Sequence, residues 1–159
     1  MLTARLKVGL DTSCLVALFV EDHTFHHATL AGLERLRGSK AHFVVPCHVL
    51  LECFSVLTRM PSPHRHPPEA VERLLLDNFA TDAEIPGIDR DLTWSTIRDL
   101  AAAGLIGGQV YDAVIAQSTF AAGAGVLLTW NVHDFARLAP GGLEILTPAE
   151  YAARGPRVH

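Results

Sequence analysis

The chain has 159 residues, 49% of them hydrophobic and 19% charged, with a formal net charge of −4. That length suits one domain with a sizeable core, and that composition excludes a disordered chain. The acidic balance excludes a globally basic nucleic-acid binder but leaves room for a nuclease, in which an acidic metal site and a local basic rim coexist. Cys14, Cys47 and Cys53 are an odd number without framework spacing, which points away from a disulfide scaffold and towards the cytoplasm. Arg5 and Lys7 ahead of the apolar residues 14–20 mimic a secretory signal. Asp11 splits that stretch, however, and Glu21 and Asp22 stand where a small-residue cleavage site belongs. No charge-free apolar run approaches the ~20 residues of a membrane span.

Val8-Gly9-Leu10 predicts a short buried strand running into a helix start at Asp11-Thr12-Ser13, all three residues being able to cap. Helices are expected at 15–20 and 26–37, the second stopped by Gly38. A strand follows at 42–45, and Pro46 opens a helix to about residue 60. Residues 61–68 contain four prolines and read as a loop, followed by a helix at 69–79 and a short strand at 83–85. An amphipathic helix spans 89–103, with Leu92, Trp94, Ile97, Leu100 and Ala101 on its apolar side. Beyond the glycines at 104, 107 and 108 come a helix at 110–122, a strand at 126–129, a helix at 132–138 and a strand at 143–146. Thr147-Pro148-Ala149-Glu150 is a capping box for a last helical turn. Short apolar strands alternating with helices predict one α/β domain over 1–159, a three-layer α/β/α sandwich with a mainly parallel sheet.

In such sheets the ligand site lies at the carboxyl ends of the strands. Asp11 ends the first strand, Glu52 lies two turns into the helix leaving the second, and Thr129-Trp130-Asn131 ends the fourth. Asp112 is the only charged side chain between Asp99 and Asp134, and its helical neighbours Ile115, Ala116 and Thr119 are apolar or small. A carboxylate there is poorly solvated and needs a partner, either a cation bound between acids or an arginine such as Arg98. Asp11 also suits the cap of the first helix, and Glu52 an ordinary half-exposed helix position. Carboxylates that converge without basic partners form a hard-oxygen site for Mg²⁺ or Mn²⁺, whose associated chemistry is phosphodiester hydrolysis.

Four segments in this order resemble the PIN-domain ribonucleases, in particular the VapC-type toxins of toxin–antitoxin pairs. They are Leu10-Asp11-Thr12-Ser13 with Leu15-Val16-Ala17-Leu18-Phe19, residues 49–59 around Glu52, Tyr111-Asp112-Ala113-Val114-Ile115-Ala116, and residues 128–135 around Asn131. The resemblance covers essentially the whole chain. It implies a sheet of about five parallel strands and a Mg²⁺- or Mn²⁺-dependent endoribonuclease. It also implies a homodimer and a cognate antitoxin that blocks the acidic cleft. Asp11, Glu52 and Asp112 are then the metal-binding acids, with Thr12, Ser13 and Thr129 as orienting hydroxyls. The family often carries a fourth acid directly after Thr129-Trp130, where this chain has Asn131. Asp134 is the alternative fourth acid, although Asn131 and Asp134 also read as a capping pair.

RNA approaching a cluster of acids calls for basic groups nearby. Arg59 and Arg65, with His64 and His66, are the candidate phosphate contacts, against the alternative of a solvated basic loop. His23, His26 and His27 have no accompanying cysteine–histidine framework and read as surface histidines rather than a zinc site. Trp130 reads as core, with base stacking the other possibility. The competing function is a catalytically inactive PIN-like module acting through a protein partner. A phosphatase of the haloacid-dehalogenase type would need a second aspartate where Ser13 stands, and a receiver domain would need a late lysine, yet none follows Lys40.

Overall fold

The structure is a computed structural model that describes residues 5–154; the two ends of the expected 1–159 domain lie outside the described residues. Its sheet has five strands, all parallel: β1 (Lys7–Leu10), β2 (His42–Val44), β3 (Ala83–Glu84), β4 (Val126–Leu128) and β5 (Glu144–Leu146). Among the described residues eight helices connect and cover them. These are α1 (Thr12–Phe19), α2 (His26–Gly38), α3 (Cys47–Arg59), α4 (Pro68–Phe79), α5 (Arg90–Ala103), α6 (Gln109–Ala121), α7 (Val132–Ala136) and α8 (Pro148–Ala153). No described helix is long and apolar enough to cross a membrane.

The strand order β3-β2-β1-β4-β5 makes the sheet doubly wound. The chain moves outwards from β1 to β3, crosses back, and restarts on the other side of β1 at β4. Crossovers of one hand then place helices on both faces; α1 packs on α2 and α3, and α3 on α4, while α6 packs on α5 and α7, and α3 meets α6 between the two groups. β1 lies at the centre, with Val8 paired to both Phe43 and Val126. Val8, Leu10, Val44, Leu127 and Leu128 are fully buried, which is why the strands read as unbroken apolar runs.

Gly9 is required by packing rather than by a turn. A methyl group at this position would overlap Thr119 Cγ2 of α6 and approach Leu127 Cδ1 to 3.1 Å. Thr119 is buried and β-branched, so it has little freedom to yield. Gly9→Ala is expected to destabilise the fold by about 1–3 kcal/mol, seen as a lower midpoint in chemical denaturation.

The elements depart from expectation in local ways. α1 begins at Thr12 rather than Leu15, because the Asp11 side chain caps it directly after the strand. Pro46 precedes α3 as its cap instead of lying in its first turn. Gly38 remains helical, and the left-handed residue that turns the chain into β2 is Lys40, at φ 57°. α5 has the expected ends, capped by Asp89 and closed by left-handed Gly104, but of its expected apolar side Trp94, Ile97 and Ala101 are exposed, while Thr96 and Leu100 are buried. The capping box at Thr147 and Glu150 forms with both of its hydrogen bonds.

Candidate active site

The strand order places a switch point between β1 and β4, the position where open α/β sheets hold their ligands. Asp11 leaves the carboxyl end of β1 and Thr129 the end of β4, and the Asp11 N–H donates to the Leu128 carbonyl at 3.0 Å. A cleft of about 350 Å³ opens there. Asp11, Glu52 and Asp112 all line it, with Thr12, Ser13 and Asn131 beside them. Residues from β1, α3, α6 and β4, far apart in sequence, thus meet at one edge of the sheet.

Asp11 is buried and held from three directions. Its Oδ2 accepts from the Ser13 hydroxyl at 2.8 Å, the Thr129 hydroxyl at 2.9 Å and the Ser13 N–H at 3.3 Å. The capping and site roles considered for Asp11 are therefore compatible: Oδ2 starts the helix, and among the described residues Oδ1 has no side-chain partner. Burial pushes its pKa above the ordinary value, opposed by the hydrogen bonds from Ser13 and Thr129. Each hydroxyl is itself oriented. Ser13 Oγ accepts from the Trp130 N–H at 2.9 Å, and Thr129 Oγ1 accepts from the Asn131 N–H at 2.9 Å. Thr129→Val would leave the Asn131 N–H without its acceptor and remove a hydrogen bond to a buried carboxylate. The expected cost is about 1.5–3 kcal/mol, measured by denaturant unfolding.

Glu52 is half-exposed; its Oε2 accepts from the Thr12 hydroxyl at 2.7 Å and lies 3.9 Å from His48 Nε2. Asp112 has no hydrogen bond or ion pair among the described residues, so the pairing considered with Arg98 does not form. Its pKa is raised to about 6, first by burial and then by the charges of Asp11, Glu52 and Asp134. Those couplings place four carboxylates within electrostatic reach of one another. Among the described residues no lysine or arginine lines the cleft.

The donor set fits a hard cation: carboxylates, hydroxyls and an amide, with no thiolate among them. Among the described residues no three histidine, cysteine, aspartate or glutamate side chains are grouped so as to hold a metal ion by themselves. Water and substrate oxygens would therefore complete the coordination shell, as Mg²⁺ readily accepts.

Of the other candidates, Asp134, Arg59 and Arg65 stand apart from the cleft lining, whereas Asn131 lies in it. Asn131 caps α7 without a side-chain bond, so the capping pair with Asp134 is not made through its amide. Asp134 is exposed and outside the cleft lining, yet its charge reaches Asp112. Arg59 is exposed on the last turn of α3. Arg65 Nε donates to the Met60 carbonyl at 2.9 Å and folds the proline loop back on α3, while His64 lies 3.3 Å from Asp22. Phe25 escaped sequence reasoning, while His23, read as a surface histidine, and Val56, within the segment around Glu52, also line the cleft. Trp130, expected in the core, is half-buried against it and forms part of the cleft wall. These residues lack periodicity or unusual charge, so only the tertiary fold discloses them.

Fold and site together define a class: a doubly wound α/β domain whose switch-point cleft is lined with carboxylates. Residues 8–139 match the family model described as PIN domain, and the chain belongs to this family, among its VapC-type members. It is 37% identical over 117 residues to Ribonuclease VapC40 of Mycobacterium tuberculosis, covering 74% of this chain and 81% of that protein. It is 34% identical over 109 residues to Ribonuclease VapC27 of the same organism, covering 69% and 74%. The fold is shared with VapBC2 of Rickettsia felis bound to a promoter DNA fragment, at TM-score 0.64 and 20% identity, covering 89% of this chain and 98% of that one. It is also shared with Mycobacterium tuberculosis VapC20, described as a sarcin–ricin loop cleaving toxin, at TM-score 0.64 and 20% identity, covering 82% and 94%.

Proposed function

We propose that the chain is a divalent-metal-dependent endoribonuclease and the toxin of a toxin–antitoxin pair. The observation that carries this reading is the convergence of Asp11, Glu52 and Asp112 in one cleft, with no lysine or arginine among the described residues that line it. Relatives above 30% identity are named ribonucleases, and several structural neighbours are VapBC complexes.

In this reading Asp11, Glu52 and Asp112 hold Mg²⁺ or Mn²⁺. When bound, the ion supplies charge stabilisation at the phosphate and acidifies water at the site. Ser13 and Thr129 fix the Asp11 carboxylate, and Thr12 fixes that of Glu52, so little reorganisation remains for substrate binding to impose. Burial and the neighbouring acids raise the proton affinity of Asp112, so a cation bound there would compete with a proton for its carboxylate. Asp134 adds negative charge from the rim, and Asn131 offers a neutral oxygen in place of a fourth inner acid. Arg59 and Arg65 meet RNA phosphates outside the cleft.

The partners in this reading are RNA, a cognate antitoxin that covers the acidic cleft, and a second copy of the chain, in the cytoplasm. Trp94 and Ile97, one turn apart on α5, are 55% and 47% exposed and supply apolar surface for an interface. The chain acts as one catalytic domain. Expression should arrest growth, co-expression of a small protein encoded alongside should relieve it, and purified protein should cleave structured RNA. A well-folded protein that arrests growth without cleaving RNA would favour the inactive, partner-acting alternative.

A further inference from the structure

One wall of the acid cleft is aromatic and unusually well fixed. The rings of Phe25 and Trp130 stack at 4.1 Å between centroids and 9° between planes. The indole Nε1–H of Trp130 donates to Thr29 Oγ1 at 2.9 Å, and that hydroxyl donates to the Phe25 carbonyl at 2.8 Å. The Phe25 N–H donates to His23 Nδ1 at 3.1 Å. This chain of bonds ties the end of β4 to the start of α2 and holds Phe25 at a set height above the acids. Phe25 nevertheless keeps 39% of its surface exposed. Trp130 stacks on one of its faces and the His23 imidazole lies 5.8 Å away, tilted by 46°, so the ring is flanked without being closed over.

A large apolar ring left open beside carboxylates contributes little to the core, and bonding it in place from both sides calls for an explanation. Resting on the ribonuclease reading above, we propose that Phe25, backed by Trp130, is a stacking platform for one unpaired nucleobase of the RNA whose phosphate enters the cleft. A base has an apolar face that the ring can cover, and its attached phosphate belongs where the cation would sit. A prearranged ring loses little entropy when the base arrives. A paired base has both faces covered by its neighbours, so the platform selects single-stranded or looped segments. Stacking is tolerant of base identity; the platform therefore favours unpaired RNA without reading its sequence. Phe25 is the contact residue, whereas Trp130 and Thr29 are positioning residues.

Binding tests this separately from catalysis. Trp94→Phe leaves Trp130 as the only tryptophan, since the chain has two. In this background, short single-stranded RNA of mixed sequence is titrated with Ca²⁺ replacing Mg²⁺, and Trp130 fluorescence is followed. Saturable quenching is expected. Phe25→Ala should weaken binding about tenfold, Phe25→Tyr should retain it, and a duplex of the same sequence should bind weakly with no dependence on Phe25. Unchanged RNA affinity in a folded Phe25→Ala protein would overturn the platform, as would a loss confined to binding of a protein partner. If quenching depends on Phe25 but the same protein cleaves no RNA when Mg²⁺ or Mn²⁺ is supplied in place of Ca²⁺, the platform stands and the nuclease reading falls.

Discussion

Asp112→Asn is expected to lower RNA cleavage by at least about 10²–10³-fold, because the cation proposed to sit between Asp11, Glu52 and Asp112 would be worth several kcal/mol in the transition state. The same variant should be at least as stable as the parent in metal-free buffer. The carboxyl pKa rises from an ordinary 3.8 to about 6 in the folded protein. Between those values the folded state binds more protons than the unfolded state, so stability falls as pH rises through this window. At neutral pH the charged Asp112 is therefore a net burden on the metal-free fold. Discounted for solvent screening at this half-exposed group, the burden is about 1 kcal/mol. Asn is nearly isosteric and uncharged, and should remove most of the stability loss between pH 4 and pH 7, measured by urea unfolding across pH. A variant that loses both activity and stability would indicate a structural role for Asp112 instead.

The second large effect concerns the cation as a ligand of the folded state. At one hundred times its dissociation constant, a bound ion stabilises the fold by about 2.7 kcal/mol. For a chain of this length that is about 5–10 °C in the melting midpoint. Mg²⁺ or Mn²⁺ should produce this shift in the parent protein and little or none in Asp112→Asn. The gain should shrink below pH 6, where protons compete with the cation for Asp112. Equal shifts in both proteins would place the bound cation elsewhere.

These two predictions rest on residues that stand out in the sequence for a physical reason. A lone carboxylate in an apolar stretch, such as Asp112, or at the end of a buried strand, such as Asp11, must find a partner, and the candidates for that partner are few. The parallel strands were legible for a similar reason, since strands buried on both faces lose their polar alternation. What was not legible depends on the crossing of the chain. No local pattern says that β4 returns to the far side of β1, yet that return puts Thr129 and Trp130 beside Asp11. Phe25 precedes a helix and carries no periodic signal; its place on the cleft wall comes from its contact with Trp130, 105 residues later. Gly38 offered a plausible helix stop, but Lys40 makes the turn, because the join to β2 sets where the chain must reverse.

The central claim is that the switch-point acids cleave RNA by holding a divalent cation. The most direct measurement strips the purified protein with EDTA, removes the chelator, and follows cleavage of a structured RNA as Mg²⁺ is returned. Cleavage should be absent at the start, rise saturably with Mg²⁺ in the parent protein, and stay near background in Asp112→Asn at every concentration. Cleavage that persists in EDTA, or that Mg²⁺ restores equally in both proteins, would contradict it.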